Sequence, residues 1–234
     1  MVEETKKSIE GLKSLRRGFM FSFASLVLLA FLLFGPRLVY SLFTTGVVGV
    51  TLMYGFPFLV LFVWAIGVFM RAKGWRLLGH KRVGGVLSLS GRVILLFVLL
   101  PLLVSLMGLP FGGYLLLLGH PLPLLVAVVT GLAWAYSTYF EVRGFKMLEL
   151  ENKINLKLSR FCSLIGVLVY VCGVVGGFAY TVGFEAYPFY YFPFILDFSL
   201  LFISMLLASP FLMVSCLAMM SRLEKVISRQ ASAV

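Results

Sequence analysis

Charged groups inside apolar sequence are the first place to look for chemistry, because a charge at bilayer depth is costly and tends to mark a functional site. Arg37, Glu185 and Asp197 stand in otherwise apolar surroundings and form a candidate outer polar site. Asp197 could hold a cation or pair with Arg37. The simpler reading puts it at a helix N-terminus, where the dipole favours a carboxylate. Arg92 opens an apolar segment and is expected to snorkel to headgroups. Glu141 ends another segment beside Arg143, at the inner surface. The two histidines, His80 in Gly79-His80-Lys81-Arg82 and His120 in Gly119-His120-Pro121, lie in turns that face opposite sides, so they cannot share a metal. Cys162, Cys172 and Cys216 lie in apolar runs without metal-ligand spacing and read as small buried hydrophobes. Ser204 and Ser209 could act as nucleophiles, but no base is paired with them. The chain has no phosphate-binding glycine loop, no Gly-x-Ser-x-Gly, no His-Glu-x-x-His and no Cys-x-x-Cys. No catalytic residue, cofactor or metal site is expected.

The elements that carry these residues follow from composition. Of 234 residues, 61% are hydrophobic and 12% charged, and the mean hydropathy is +1.06. A soluble domain is roughly half apolar and about a quarter charged, so the excess needs lipid to cover it. A membrane helix takes about 20 apolar residues. Six segments qualify, near 18–36, 47–70, 90–108, 122–141, 160–182 and 196–220. The first follows the basic stretch Lys13 to Arg17 and lacks a small-x-small cleavage site, so it reads as an uncleaved span. The outer connectors Leu38 to Thr45, Tyr114 to Gly119 and Ala186 to Phe194 are too apolar for ordinary loops and too short to span; they read as helix extensions or interfacial segments. The last is dense in aromatics, as an interfacial belt requires.

Charge sets the orientation. Nineteen of the twenty Lys and Arg residues, and seven of the nine acids, fall on the side that holds both termini, leaving +12 there and −1 opposite. Basic loops resist translocation, so the termini are expected in the cytoplasm, with the inner face held against anionic headgroups. The pI of 9.8 follows from this pattern; nucleic-acid binding would need a further signal.

Three strings share the form Gly, large apolar, cation, any residue, Leu: Gly11-Leu12-Lys13-Ser14-Leu15, Gly74-Trp75-Arg76-Leu77-Leu78 and Gly144-Phe145-Lys146-Met147-Leu148. The last two are 70 residues apart, and each follows an even-numbered span. They suggest three parallel hairpins, roughly 11–73, 74–143 and 144–220, ahead of a tail at 221–234. On this reading the apolar residue anchors in the membrane interface and the cation reaches phosphate. The string Gly144 to Leu148 with Ser163-Leu164-Ile165-Gly166 downstream, and the string Gly11 to Leu15 before the first span, resemble an archaeal (crenarchaeal) family of polytopic membrane proteins of unknown function, found mostly in Sulfolobus-like organisms. The resemblance implies an archaeal plasma membrane and no known activity, and carries over no functional residue.

Packing is legible in the fifth span. Ser163, Gly166, Tyr170, Gly173 and Gly177 recur at steps of three and four and share one helical face. Small residues let backbones approach closely, and this face is expected to pack within the chain rather than against another copy. Pro57, Pro101 and Pro210 are expected to kink their helices. The fold class is therefore an all-α integral membrane protein of about six spans. The leading functional expectation is a non-catalytic scaffold or channel-forming subunit of a larger membrane assembly, with a homo-oligomer or complex partners. The alternative is a transport protein or conduit, including one for nucleic acid. An intramembrane lipid-modifying enzyme is the weakest reading, because the spans lack central charges.

Overall fold

The computed structural model describes residues 2–34, 46–106, 121–184 and 192–232. Toward the helix ends nearest the remaining segments only the backbone course is described. These residues are helical apart from short connections at 78–80 and 153–156 and the last described residue, with no strand among them. The helices are α1 (Val2–Phe34), α2 (Gly46–Leu77), α3 (Lys81–Leu106), α4 (Pro121–Asn152), α5 (Lys157–Phe184) and α6 (Phe192–Ala231). Each packs on its neighbour in sequence, and α6 returns to α1, so the six helices close a ring.

The helices outrun the apolar segments at the end that holds the chain termini. The segment ending at Arg71-Ala72-Lys73-Gly74 continues as α2 to Leu77, and the tail beyond residue 220 is the last stretch of α6. At about 1.5 Å per residue, α1 is about 50 Å long and α6 about 60 Å, well beyond a hydrocarbon layer of about 30 Å. The extensions hold because each has an inner face. Leu12 and Leu15 on α1, and Leu223 and Val226 on α6, are buried. Arg16 meets Glu224 at 3.0 Å, and Gln230 Nε2 donates to Asn152 Oδ1 at 3.2 Å.

Two turns at this end have clear local causes. Gly79 (φ 87°) ends α2. The His80 N–H bonds the Trp75 carbonyl at 2.9 Å and the Gly79 N–H bonds that of Arg76 at 3.1 Å, the paired 6→1 and 5→2 bonds of a Schellman stop, which needs a residue free to adopt positive φ. Lys153 (φ 51°) follows α4. Glu149 Oε1 then accepts the Leu156 N–H at 2.5 Å and Asn155 Oδ1 that of Lys157 at 3.0 Å, satisfying donors that a helix start leaves open.

The α1–α2 pair is antiparallel in a constant register. Gly11 lies opposite Gly74, Gly18 opposite Gly67, and the Ser25 hydroxyl donates to the Val60 carbonyl at 2.8 Å. The spacing is seven residues on both helices, two turns, so one face carries all three contacts. A Cβ on Gly18 would stand 2.8 Å from the Gly67 carbonyl oxygen, which a real side chain cannot tolerate. Between these contacts Ser14 Oγ donates to the Met70 carbonyl at 2.9 Å.

Buried positions are rich in serine, including Ser22, Ser25, Ser88, Ser137 and Ser163. Large apolar side chains face outward on every helix: Phe31, Phe62, Leu96, Leu132, Leu168 and Leu207 are 46% to 62% exposed. Among the described residues two stretches, Glu3–Phe31 and Lys157–Gly176, are long and apolar enough to cross a membrane.

Candidate functional site: a charged clamp across the ring

The ring's interior is crossed at the terminal end by side chains from α2 and α4. Arg71 Nη1 donates to Glu141 Oε2 at 2.6 Å, and both side chains are buried, 8% and 3% exposed. Trp75 Nε1 donates to Glu141 Oε1 at 3.3 Å, so both carboxylate oxygens are engaged. The Arg71 guanidinium lies over the Phe19 ring of α1, 5.1 Å from its centroid. Arg71 Nε has no hydrogen-bond partner among the described residues. The Phe145 ring meets those of Phe19 and Trp75 at 5.9 and 6.0 Å, and Cys216 of α6 is buried in the same apolar core.

Local sequence explains the fit. Gly18 leaves the space that the Arg71 stem occupies: a Cβ there would lie 2.5 Å from Arg71 Cγ. Gly144 does the same for the Trp75 indole, whose Cη2 would lie 2.8 Å from a Cβ. Trp75 in turn stacks edge-on with His80 at 5.5 Å, and His80 Nε2 faces Glu151 Oε1 at 3.4 Å. The clamp is thus tied to the α2–α3 turn and to the end of α4.

A second layer lies seven residues along each helix. Trp64 and Trp134 meet at 5.9 Å, nearly perpendicular, and Trp134 meets Tyr170 of α5 at 4.9 Å. Trp64 with Trp134, Arg71 with Glu141, and Trp75 with Phe145 are all separated by 70 positions. A constant offset is what two parallel helices facing one another produce. The chemistry of this arrangement is electrostatic and mechanical: a desolvated ion pair that fixes the depth of α2 against α4, sealed by aromatic rings. Removing one partner of such a pair leaves an uncompensated buried charge.

The sequence-expected residues are placed as follows. In all three Gly-apolar-cation strings the glycine and the apolar residue face inward: Leu12 and Trp75 are wholly buried and Phe145 nearly so. The expectation that Trp75 and Phe145 anchor in a lipid interface is therefore corrected. At this level α1, α2 and α4 turn these residues toward the core, and the aromatic rings fill the ring's interior. Lys13, Arg76 and Lys146 point outward, and Arg76 Nη2 also reaches the Gly84 carbonyl at 3.4 Å. The strings are not equivalent in direction, since Gly11 lies on a helix antiparallel to the one that carries Gly74.

On α5, Ser163 Oγ shares a 2.7 Å hydrogen bond with Ser215 Oγ of α6. Ser215 also donates to the Ser159 carbonyl at 2.9 Å. Gly166 lies against Leu212 and Gly173 against Ser204, while Tyr170 turns to Trp134 and Gly131 of α4. The surroundings of Gly177 lie outside the described residues. Of the outer polar site, Arg37 and Glu185 also lie outside them, as does His120; Asp197 is in the α6 backbone, with its side chain not described.

Sequence reading placed Glu141 at the inner surface and missed its pairing with Arg71. A signal was present. Arg71 and Glu141 each stand three residues before the glycine of a recurring string, and Trp64-Ala65 and Trp134-Ala135 each stand seven before that charge. Extending the five-residue string toward the N-terminus would have set opposite charges at matching positions. No known protein family, curated protein or solved structure matches the chain.

Proposed function

We propose that this chain is a multi-pass membrane protein whose six helices cross the bilayer with both termini in the cytoplasm, and that it serves as a non-catalytic scaffold or channel-forming subunit of a larger membrane assembly. The observation that carries the reading is the distribution of surfaces around the ring. Large apolar side chains face outward on all six helices, whereas serines, close-packed glycines and one ion pair face inward. A soluble monomer rarely exposes contiguous apolar surface beyond a few hundred Å²; a bilayer covers it. Membrane helices associate through small residues and hydroxyl bonds, as Gly18 and Gly67, and Ser163 with Ser215, do here. The surplus of cations at the terminal end supports the cytoplasmic orientation. Every carboxylate oxygen of the buried Glu141 is already bonded, which supports a structural part for it over a catalytic one.

Two experiments test this. Alkaline carbonate should leave the chain in the membrane pellet. In a background with Cys162, Cys172 and Cys216 changed to Ala, a cysteine at Tyr190 should react with an impermeant maleimide on intact cells, and one at Lys153 should react only after lysis. Labelling of both from outside would refute the orientation, and release by carbonate would refute the membrane reading. Purification from native membranes with a stoichiometric partner would support the assembly subunit.

A gated conduit in its own right is a second reading, favoured by the ring closure and by a charge pair buried in its interior. On that reading Phe19, Trp75 and Phe145 are the plug and the Arg71–Glu141 pair holds it shut. Proteoliposomes carrying the Glu141→Gln variant should then leak a small ion or dye that the wild type retains. Equal tightness of the two would remove this reading.

A further inference from the structure

We propose that the outward face of α3 and α4 near the terminal end binds one anionic lipid, its phosphodiester held by Arg82 and Arg143 and its tail lying along Leu89 and Leu132. The proposal rests on the membrane reading above and names a partner for one surface of it.

The head of the site is a cluster of cations and rings. The Arg82 guanidinium lies 5.4 Å from the centroid of Phe140, and that of Arg143 lies 4.7 Å from the centroid of Tyr139. Tyr139 meets Phe140 at 5.8 Å, and Tyr136 meets Phe140 at 4.9 Å. A continuous set of ring contacts, running from the exposed Tyr136 and Tyr139 to the buried Phe140 beneath them, therefore links both arginines. Among the described residues neither has a carboxylate partner, whereas Arg16, Arg71, Lys73 and Arg160 each have one. A guanidinium lying on a ring keeps its N–H edge free, and its planar fork matches the geometry of a phosphate. The rings restrict its motion in advance, so less order is lost on binding.

Beside the head is room, and beneath it a tail. Gly85 follows Arg82 by one turn on the exposed face of α3, and a Cβ there would meet nothing within 4 Å. Leu89 lies about 10 Å along α3 from Arg82, and Leu132 about 16 Å along α4 from Arg143. They are 62% and 59% exposed. Tyr136 and Tyr139, also exposed, fall between cations and leucines, the level at which amphipathic rings sit in a bilayer. The order cation, tyrosine, leucine is the order of a lipid from headgroup to tail. A free phosphate would use the first group alone.

The test is native mass spectrometry of the delipidated full chain in detergent, titrated with phosphatidylglycerol or phosphatidylcholine. The wild type should retain one phosphatidylglycerol in preference to phosphatidylcholine. Arg82→Gln with Arg143→Gln should weaken that retention about thirtyfold. Arg222→Gln with Arg229→Gln, which removes the same charge from α6, should leave it unchanged. Equal weakening by both pairs would reduce the effect to diffuse attraction and overturn the site, as would an absence of preference for phosphatidylglycerol. Displacement of the lipid by millimolar inorganic phosphate would overturn the lipid assignment in favour of a free anion. Gly85→Leu, whose Cβ meets nothing within 4 Å, extends a side chain into the open notch; it should also lower retention, and unchanged binding would count against the site. Carbonate extraction tests the membrane reading separately, so a chain that stays in the pellet yet ignores both arginines refutes the lipid site alone.

Discussion

Glu141 and Arg71 show why a buried ion pair is judged by what surrounds it. Desolvation opposes both charges, and the pair persists because each keeps partners: Trp75 and Arg71 on the carboxylate, the Phe19 ring and Glu141 on the guanidinium. Losing one partner of such a pair costs about 3–5 kcal/mol, while apolar replacement of both is often neutral. Glu141→Leu is therefore expected to lower stability by about that amount. Arg71→Met with Glu141→Leu should recover most of the loss. Unfolding in detergent micelles, followed by helical circular dichroism against rising sodium dodecyl sulfate, measures both. If the double variant is as unstable as the sum of the singles, the pair is not the unit described here. The charges themselves are plain in the sequence. Their pairing is not, since it depends on which faces of α2 and α4 meet across the ring.

The helices are held by close approach, and two glycine substitutions separate that effect from propensity. Gly67→Val places a branched side chain where even a Cβ would stand 2.9 Å from the Gly18 carbonyl oxygen. It should force α1 from α2 and cost about 1–3 kcal/mol. Gly85→Ala meets open space inside α3 and should stabilise by about 0.5–1 kcal/mol through helix propensity. The same denaturation assay reads both, and the opposite signs are the prediction. If the helices sit in a bilayer as proposed, the Ser163–Ser215 bond at the α5–α6 contact is worth about 0.6 kcal/mol. A double-mutant cycle to Ala should return that coupling. The stripe from Ser163 to Gly173 could be read from its three–four spacing because a helix turns every 3.6 residues. The α1–α2 stripe could have been read in the same way from Gly11, Gly18, Gly67 and Gly74. What spacing could not supply was that Tyr170 leaves the α6 contact for Trp134, because an aromatic ring reaches past its own face.

For the whole molecule, ring closure by α6 on α1 gives the chain an interior of its own. The C-terminal stretch is part of that closure: Met219, Leu223 and Val226 are buried, and Glu224 meets Arg16. Truncation after Ser221 should therefore open the ring, exposing Leu12 and Leu15, which are fully buried. The expected outcome is a large loss of folded protein, read as a broadened or aggregated profile in size-exclusion chromatography. A monodisperse truncated chain would show that α6 ends its structural contribution earlier. The salt bridge at 3.0 Å contributes little to this, because both side chains are well exposed; the buried leucines carry it.

Composition and local pattern were enough to establish six helical segments, the concentration of cations at one end, the α5 packing stripe and the recurring glycine strings. Each of these depends on residues close in sequence or on summed content, and hydrophobic periodicity reports such features directly. Only the tertiary structure decided that Trp75 and Phe145 face the ring's interior, that Arg71 and Glu141 join across it, and that one set of ring contacts links Arg82 and Arg143. The reason is physical: a helix defines its faces by itself, but which face meets a partner depends on the register and order of helices distant in the chain. The recurring strings of α2 and α4 show the boundary between the two. Their 70-residue offset is written in the sequence, and it becomes a charged clamp only because the two helices run parallel and face one another.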